Sequence, residues 1–571
     1  MKSKCLSALL VLAALTPLFS QEALAQLTPD QRVFDFQNLV ALYAKRYAPY
    51  AWKNLALGFN MFDVQPWFDR IRAAKSDLEF FEIEAEYVGK LQDTHTAFQM
   101  NSTFRADLGF FVDIYDDKVL IDSINRARLP IAAFPFAIGD ELVSVDGVSS
   151  EEWISRISVW RQYGNPVTTR RTAAQQITLR TQNFFPRAAE IGEAAVVVIR
   201  RANGILESYT IPWLKTGVAV TDVPVTPFYK QFADAAASND LLLERIQDSI
   251  YKIPDNDPAY VLNIGARQPI FAAGLPSNFV QRLGRLSTDF HFSGTYVANG
   301  LTIGFLRIPS FATPTTALIE ELNTEIEYLQ RNTDGLVVDV TRNPGGTCYM
   351  IDVAARLIPY PFYFFGEEIR ATQGLVNGGQ AQLELARNSG APQSVIDYWA
   401  SYTDKLKKAL AEGRLTEPIA ACAQFGSPLP TMNHSTPAST VYTRPMIILT
   451  DQFSISAADI FPAMIQDNKR APIVGTRTSG GGGRVSGGWP AGYYSDGVSS
   501  YTLTLVVRKE PIVTPDLPPG PYVENIGIRP EIQLDYMTRE NLINGGRPYV
   551  ETFTQILTNR ILSVQVSGTV D

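Results

Sequence analysis

The sequence predicts a multidomain α/β protein: a helical N-terminal region, a β-rich middle domain, and an α/β domain built on a largely parallel sheet. Three observations carry this. A chain of 571 residues exceeds one ordinary core. Its composition, 46% hydrophobic, 11% aromatic and 19% charged, is that of a globular protein rather than a disordered one. Period-two alternation runs through "LGFFVDIYDDKVLIDSI" near residue 108, whereas from Leu301 near-continuous apolar strands alternate with amphipathic helices.

Residues 1–25 read as a signal peptide: Lys2 and Lys4, an apolar segment from Leu9 to Phe19, and Ala-Leu-Ala before Gln26. A periplasmic or secreted protein is expected, with no membrane span once the leader is removed, since no later stretch approaches the ~20 apolar residues of a span. Residues 26–103 carry apolar positions at helical spacing and form the helical region. Residues 104–215 hold short strands, a turn at Asp146-Gly147 and a helix start near Ser149 or Ser150, interrupted by an excursion over 151–192. Residues 216–300, rich in Pro, Asn, Asp and Gly, are expected to link domains or cover a groove. The α/β domain spans 301–550, with a loop-rich stretch at 365–440 and a Pro462 expected early in its helix, and 551–571 is a C-terminal extension.

Composition also excludes. A net charge of −8 without a basic run longer than two residues argues against nucleic-acid binding. Cys348 and Cys422, the cysteines left after the leader, admit one disulfide in an oxidising compartment or two free buried thiols. Three histidines, with neither HExxH nor CxxC, make a metal site an unpromising expectation; no metal and no cofactor are expected.

The chemistry concentrates where the strand "MIILT" runs into "DQFSISAADIF". Ser454 and Ser456 fall between a buried strand and a helix start, where backbone amides face developing negative charge. Either can be a nucleophile, and either can simply cap the helix. A serine nucleophile needs a base. Among His95, His291 and His434, His95 lies in a tightly bounded polar loop, "QDTHTAF". Gly345 and Gly346 close "DVTRNPGG" after another strand, on the sheet edge where α/β proteins bind ligands.

Taken in order, "LQDTHTAF", "IGDELVSVDGVS", "GLVVDVTRNPGG", "SISAADIF", "QDNKRAPIVGTRT" and "VENIGIRPEI" resemble peptidase family S41, the C-terminal processing and tricorn-type proteases, over about residues 85–535. The resemblance implies a PDZ-like domain at 104–215 carrying an insertion, a peptidase domain at 301–550, a polypeptide substrate and a possible homodimer. It implies Ser456 as nucleophile, with Asp459 marking the motif, and an oxyanion hole from the amides of Gly345, Gly346 and Ala457. In the processing branch a downstream lysine is the base, but the matching position here is Gly481. Arg477 and Arg484 stay protonated and cannot replace it. The branch that includes tricorn and the chlamydial protease-like activity factor uses a histidine and a late glutamate instead, implying His95 and Glu524. The expected function is an exported serine endopeptidase working through an acyl-enzyme. A catalytically silent PDZ-containing binding protein and an esterase-like acyl hydrolase are the alternatives, though Ser456 lacks the G-x-S-x-G elbow.

Overall fold

The computed structural model describes residues 26–100, 102–220, 264–427, 429–430 and 435–567. The leader expected over 1–25 and His434 lie outside these residues, as does the stretch 221–263 of the expected linker.

A seven-stranded sheet organises the C-terminal half, in the order Val280–Leu283, Phe292–Ala298, Leu301–Arg307, Gly335–Asp339, Met446–Thr450, Ile473–Gly475, Ile532–Gln533. The first two junctions are antiparallel and the remaining four parallel. Helix Thr316–Asn332 makes the first parallel crossover: Thr315 caps it, and Leu318, Leu322, Ile326 and Leu329 recur at the spacing of one buried face. On that side of the sheet Val338, Ile448 and Phe461 join the core, while Phe305, Val337 and Ile447 face Phe553 and Leu557 on the other. Both faces of the parallel strands are therefore covered, which is why they read as continuous apolar runs.

Several boundaries shift. The sheet begins inside the stretch expected to be a linker over 216–300, because Phe292–Ala298 and Leu301–Arg307 form a hairpin. Its turn is Asn299-Gly300, both at positive φ, a pair that such a turn demands. The expected C-terminal extension from 551 is part of helix Arg547–Ser567, whose Tyr549, Val550, Phe553, Leu557 and Ile561 are buried in the core. The stretch 365–440, expected to be loop-rich, contains two helices, Gln373–Asn388 and Gln393–Glu412. Gly379 lets them approach closely: a Cβ there would lie 2.8 Å from Thr403 Oγ1. Pro462 sits in the interior of helix Ala457–Asp467 rather than at its start, so the helix forgoes one internal hydrogen bond.

Four N-terminal helices, Pro29–Arg46, Tyr50–Leu57, Gln65–Ala73 and Asp77–Gly89, share a core with Tyr501 and Ala491 from the far end of the chain. Strand Ala97–Gln99 then pairs with Val498–Thr502. The middle domain is a sheet of five sequentially paired strands from Phe110–Tyr115 to Leu206–Pro212, with a short sixth at Val148–Ser149. Ser149 caps helix Ser150–Ser158, and Asp146-Gly147 makes the turn before it. The 151–192 excursion supplies a second helix, Pro166–Gln175. That helix is locked onto the edge strand Phe110–Tyr115: Asp113 accepts from Arg171 at 2.7 Å and from Gln175 at 3.0 Å, all three buried.

Candidate active site

Strand Met446–Thr450 delivers the chain to a tight turn at its carboxyl end. There Ser454 Oγ donates to Val340 O at 2.8 Å and accepts from Asp451 N at 3.1 Å, and the residue is fully buried. Its hydroxyl staples the turn, so of the two serines only Ser456 is disposed toward the groove. Ser456 is 9% exposed and stands at φ 60°, ψ −117°, a strained conformation for a residue with a side chain. Asp459, one turn into the helix, holds it there by accepting from Ser456 N at 2.7 Å.

Asp459 also accepts from Gly480 N at 2.8 Å and from Gly481 N at 3.1 Å. One carboxylate thus binds the serine's backbone to the glycine turn, and burial pushes that carboxyl up to about 6. Across the turn lies His95. A Cβ on Gly481 would stand 3.3 Å from His95 Cε1 and 3.3 Å from Thr94 Cβ. The imidazole occupies the space into which a side chain at 481 would grow, which accounts physically for a glycine where the processing branch has its lysine.

His95 is buried, and neither ring nitrogen has a hydrogen-bond partner. Burial, reinforced by Arg161 and Lys53 and opposed by Asp93, brings it down to about 4. The ring is therefore neutral near pH 7, with a lone pair free to take a proton. Asp93 fastens the loop, accepting from His95 N at 2.8 Å and from Tyr47 OH at 2.9 Å.

Glu524 departs from expectation. It makes no hydrogen bond to His95; Oε1 accepts from Lys53 Nζ at 2.5 Å and Oε2 from Gly482 N at 3.0 Å. Burial, with Asp93 adding to it and Lys53 pulling the other way, pushes Glu524 up to about 8. Lys53 also donates to Asn525 Oδ1 at 2.6 Å and to Gln92 O at 3.0 Å. All three of its ammonium protons are engaged, so it offers no basic lone pair.

The expected oxyanion set also changes. Gly345 presses on Ser456, since a Cβ there would lie 2.6 Å from Ser456 Cβ, but its amide donates to Asn343 Oδ1 at 2.8 Å. The amides of Gly346 and Ala457 have no acceptor among the described residues. Both line a groove of about 610 Å3 with Ser456, Phe311, Ile460 and Arg484. A disulfide joins Cys348 and Cys422 across this groove, deciding between the two thiol states left open by the sequence. His291 is a core residue, its ring between Glu321 Oε1 at 2.6 Å and Tyr349 OH at 3.0 Å. No cluster of three or more His, Cys, Asp or Glu placed to hold a metal occurs among the described residues.

A strained serine at a helix start, free amides beside it, and an unprotonated histidine across a glycine turn, on an α/β sheet, define a serine-type peptidase. Residues 302–534 match the family model of peptidase family S41, and residues 105–221 match that of a PDZ domain. A Chlamydia pneumoniae protein is 24% identical over 607 residues, covering 93% of this chain and 90% of the relative. A Chlamydia trachomatis protein is 23% identical over 592 residues, covering 92% of each. Among solved structures, mature CPAF superimposes with a TM-score of 0.72 at 23% identity, over 95% of this chain and 99% of that one. Mature CPAF complexed with lactacystin gives a TM-score of 0.71 at 23% identity, over 94% and 99% of the two chains. These structures share this chain's fold.

The site residues that sequence reading missed are Asp93, Lys53 and Asn343, and the positioning role of Asp459. Asp93 lies inside the quoted "LQDTHTAF" and was within reach. Lys53 was not, because 471 residues separate it from Glu524.

Proposed function

We propose that this protein is an exported serine endopeptidase that cleaves extended polypeptides with Ser456 as nucleophile and His95 as base. The observation that carries the reading is the unspent imidazole of His95 standing across the Gly480-Gly481 turn from the strained Ser456. Ser456 Oγ attacks the scissile carbonyl as His95 takes its proton, and the amides of Gly346 and Ala457 receive the oxyanion. The protonated imidazole then gives its proton to the departing amine, leaving an acyl-serine. Water, deprotonated by the same ring, releases the acid.

Glu524 acts in this scheme by its charge rather than by orienting the ring. With Asp93 and Lys53 it forms a buried titratable set, and its ionisation near pH 8 adds the negative charge that stabilises the imidazolium of the transition state. Activity should accordingly rise as Glu524 loses its proton near pH 8, and E524Q should abolish that rise. Export is supported by the leader sequence and by the Cys348–Cys422 disulfide. The locked helix Pro166–Gln175 favours a scaffold role for the PDZ-like domain over peptide docking beside its edge strand. A homodimer, as the family resemblance implies, is read by light scattering on a sizing column.

The test is digestion of casein by residues 26–571 as wild type, S456A and H95A, with fragments followed by mass. Fragments from the wild type alone support the reading. Equal rates from all three sink it. Lactacystin, bound by mature CPAF, is a second probe: it should inhibit the wild type by acylating Ser456.

A further inference from the structure

The 151–192 excursion does more than interrupt the PDZ-like domain. Between its two helices, residues 159–165 cross from that domain onto the loops that carry the chemistry. Arg161 Nη2 donates to Thr94 O at 2.8 Å and its Nη1 donates to Thr96 O, so one guanidinium grips the carbonyls on either side of His95. Gly164 N donates to Thr94 Oγ1 at 3.1 Å. A Cβ on Gly164 would lie 2.6 Å from Gly480 O, so this crossing has no room for a side chain. Asn165 Nδ2 donates to both Arg477 O and Thr478 O at 3.1 Å, and Thr168 Oγ1 to Gln452 O at 2.7 Å. Asn525 Nδ2, next to Glu524, donates to Gly164 O at 3.4 Å.

We propose that this crossing segment is a clamp built into the PDZ-like domain, and that Arg161 is the positioning residue that aims the His95 imidazole at Ser456. The inference rests on the reading of His95 as the base. His95 lacks any ring hydrogen bond of its own, and Glu524, the residue expected to orient it, is occupied by Lys53 and Gly482. Something else must fix the ring's direction, and backbone restraint on both sides of the residue does so. The tolerance is small: a misplacement of about 1 Å costs about 100-fold in rate. The charged groups that act on the imidazole are Asp93, Lys53 and Arg161; Tyr47 is bonded to Asp93, Glu524 is paired with Lys53, and Asp459 holds the Gly481 amide beside the ring. Removing Arg161 therefore also removes a positive charge that opposes protonation of the ring. Arg161 lines a cleft of about 460 Å3 beside Ala97–Gln99, so a small solute can reach the space it vacates.

The test compares wild type, R161A, R161K and H95A in the mature chain, residues 26–571, with kcat, KM, thermal midpoint and the pH profile of kcat/KM measured for each. R161A should lose about 100-fold in kcat with KM changed by less than about threefold. Its acid limb should move to higher pH, guanidinium at low millimolar concentration should restore about tenfold, and R161K should fall between R161A and wild type. An R161A enzyme within about twofold of wild type overturns the proposal. So does one whose loss tracks a lowered thermal midpoint, with the acid limb unmoved and no response to guanidinium. H95A separates the two claims. If H95A is inactive and R161A is normal, the clamp alone is refuted; if H95A is as active as wild type, the base assignment fails first.

Discussion

At Ser456, Asp459, Gly481 and His95 the site is assembled by contacts small enough to be broken one at a time. Gly481→Ala places a methyl 3.3 Å from His95 Cε1 and tilts the ring, so kcat should fall at least about tenfold while the fold is kept. Gly481→Lys should be inactive rather than converted to a lysine-based enzyme, because the imidazole fills the path the lysine needs. Steady-state kinetics on both variants check this. The pH profile follows from burial: below the Glu524 step near pH 8, kcat/KM should hold through pH 5 and collapse near pH 4, where His95 is protonated and cannot accept from Ser456. A limb at the ordinary value of about 6.5 would show a hydrated ring. Ser456, His95 and Gly481 were legible because they sit in short motifs whose order resembles a family. The Lys53–Glu524 pair and Arg161 were not, because a lone cation carries no local pattern and its meaning comes only from residues distant in sequence.

Among elements, the parallel strands and their crossover helices were legible because burial on both faces writes a continuous apolar run. The helices at 373–412 fall in the stretch 365–440 expected to be loop-rich, and Gly379 there serves the close approach of the two helices. The Asn299-Gly300 hairpin was a local signal available in the sequence and passed over inside a region read as a linker. The disulfide is the element with the most direct leverage on the groove. Cys348 follows the Gly345-Gly346-Thr347 turn, and Cys422 brings the chain that leaves helix Gln393–Glu412 against it. At a sequence separation of 74, C422S should cost about 2–4 kcal/mol by urea unfolding, a loss that the wild type reproduces under reductant. Because the bond closes one wall of the groove, KM should rise in the same variant.

Across the molecule, the three regions read from sequence as successive domains are interlocked. The N-terminal helices supply Lys53 and His95 follows them, the PDZ-like domain supplies Arg161 and Asn165, and the C-terminal half supplies Ser456 and Glu524. Trp52 Nε1 even donates to Glu524 O at 3.1 Å across this boundary. A fragment covering 264–567 should therefore be inactive on casein even when soluble, as activity and circular dichroism on the same sample would show. The account's central claim is that Ser456 is a nucleophile activated by His95. Its most direct measurement is labelling of wild type, S456A and H95A with a fluorophosphonate, followed by intact mass and peptide mapping. The account predicts one adduct on the wild type, on the peptide containing Ser456, none on S456A, and labelling slowed at least about 100-fold on H95A. Equal labelling of all three, or an adduct on another serine, would contradict it.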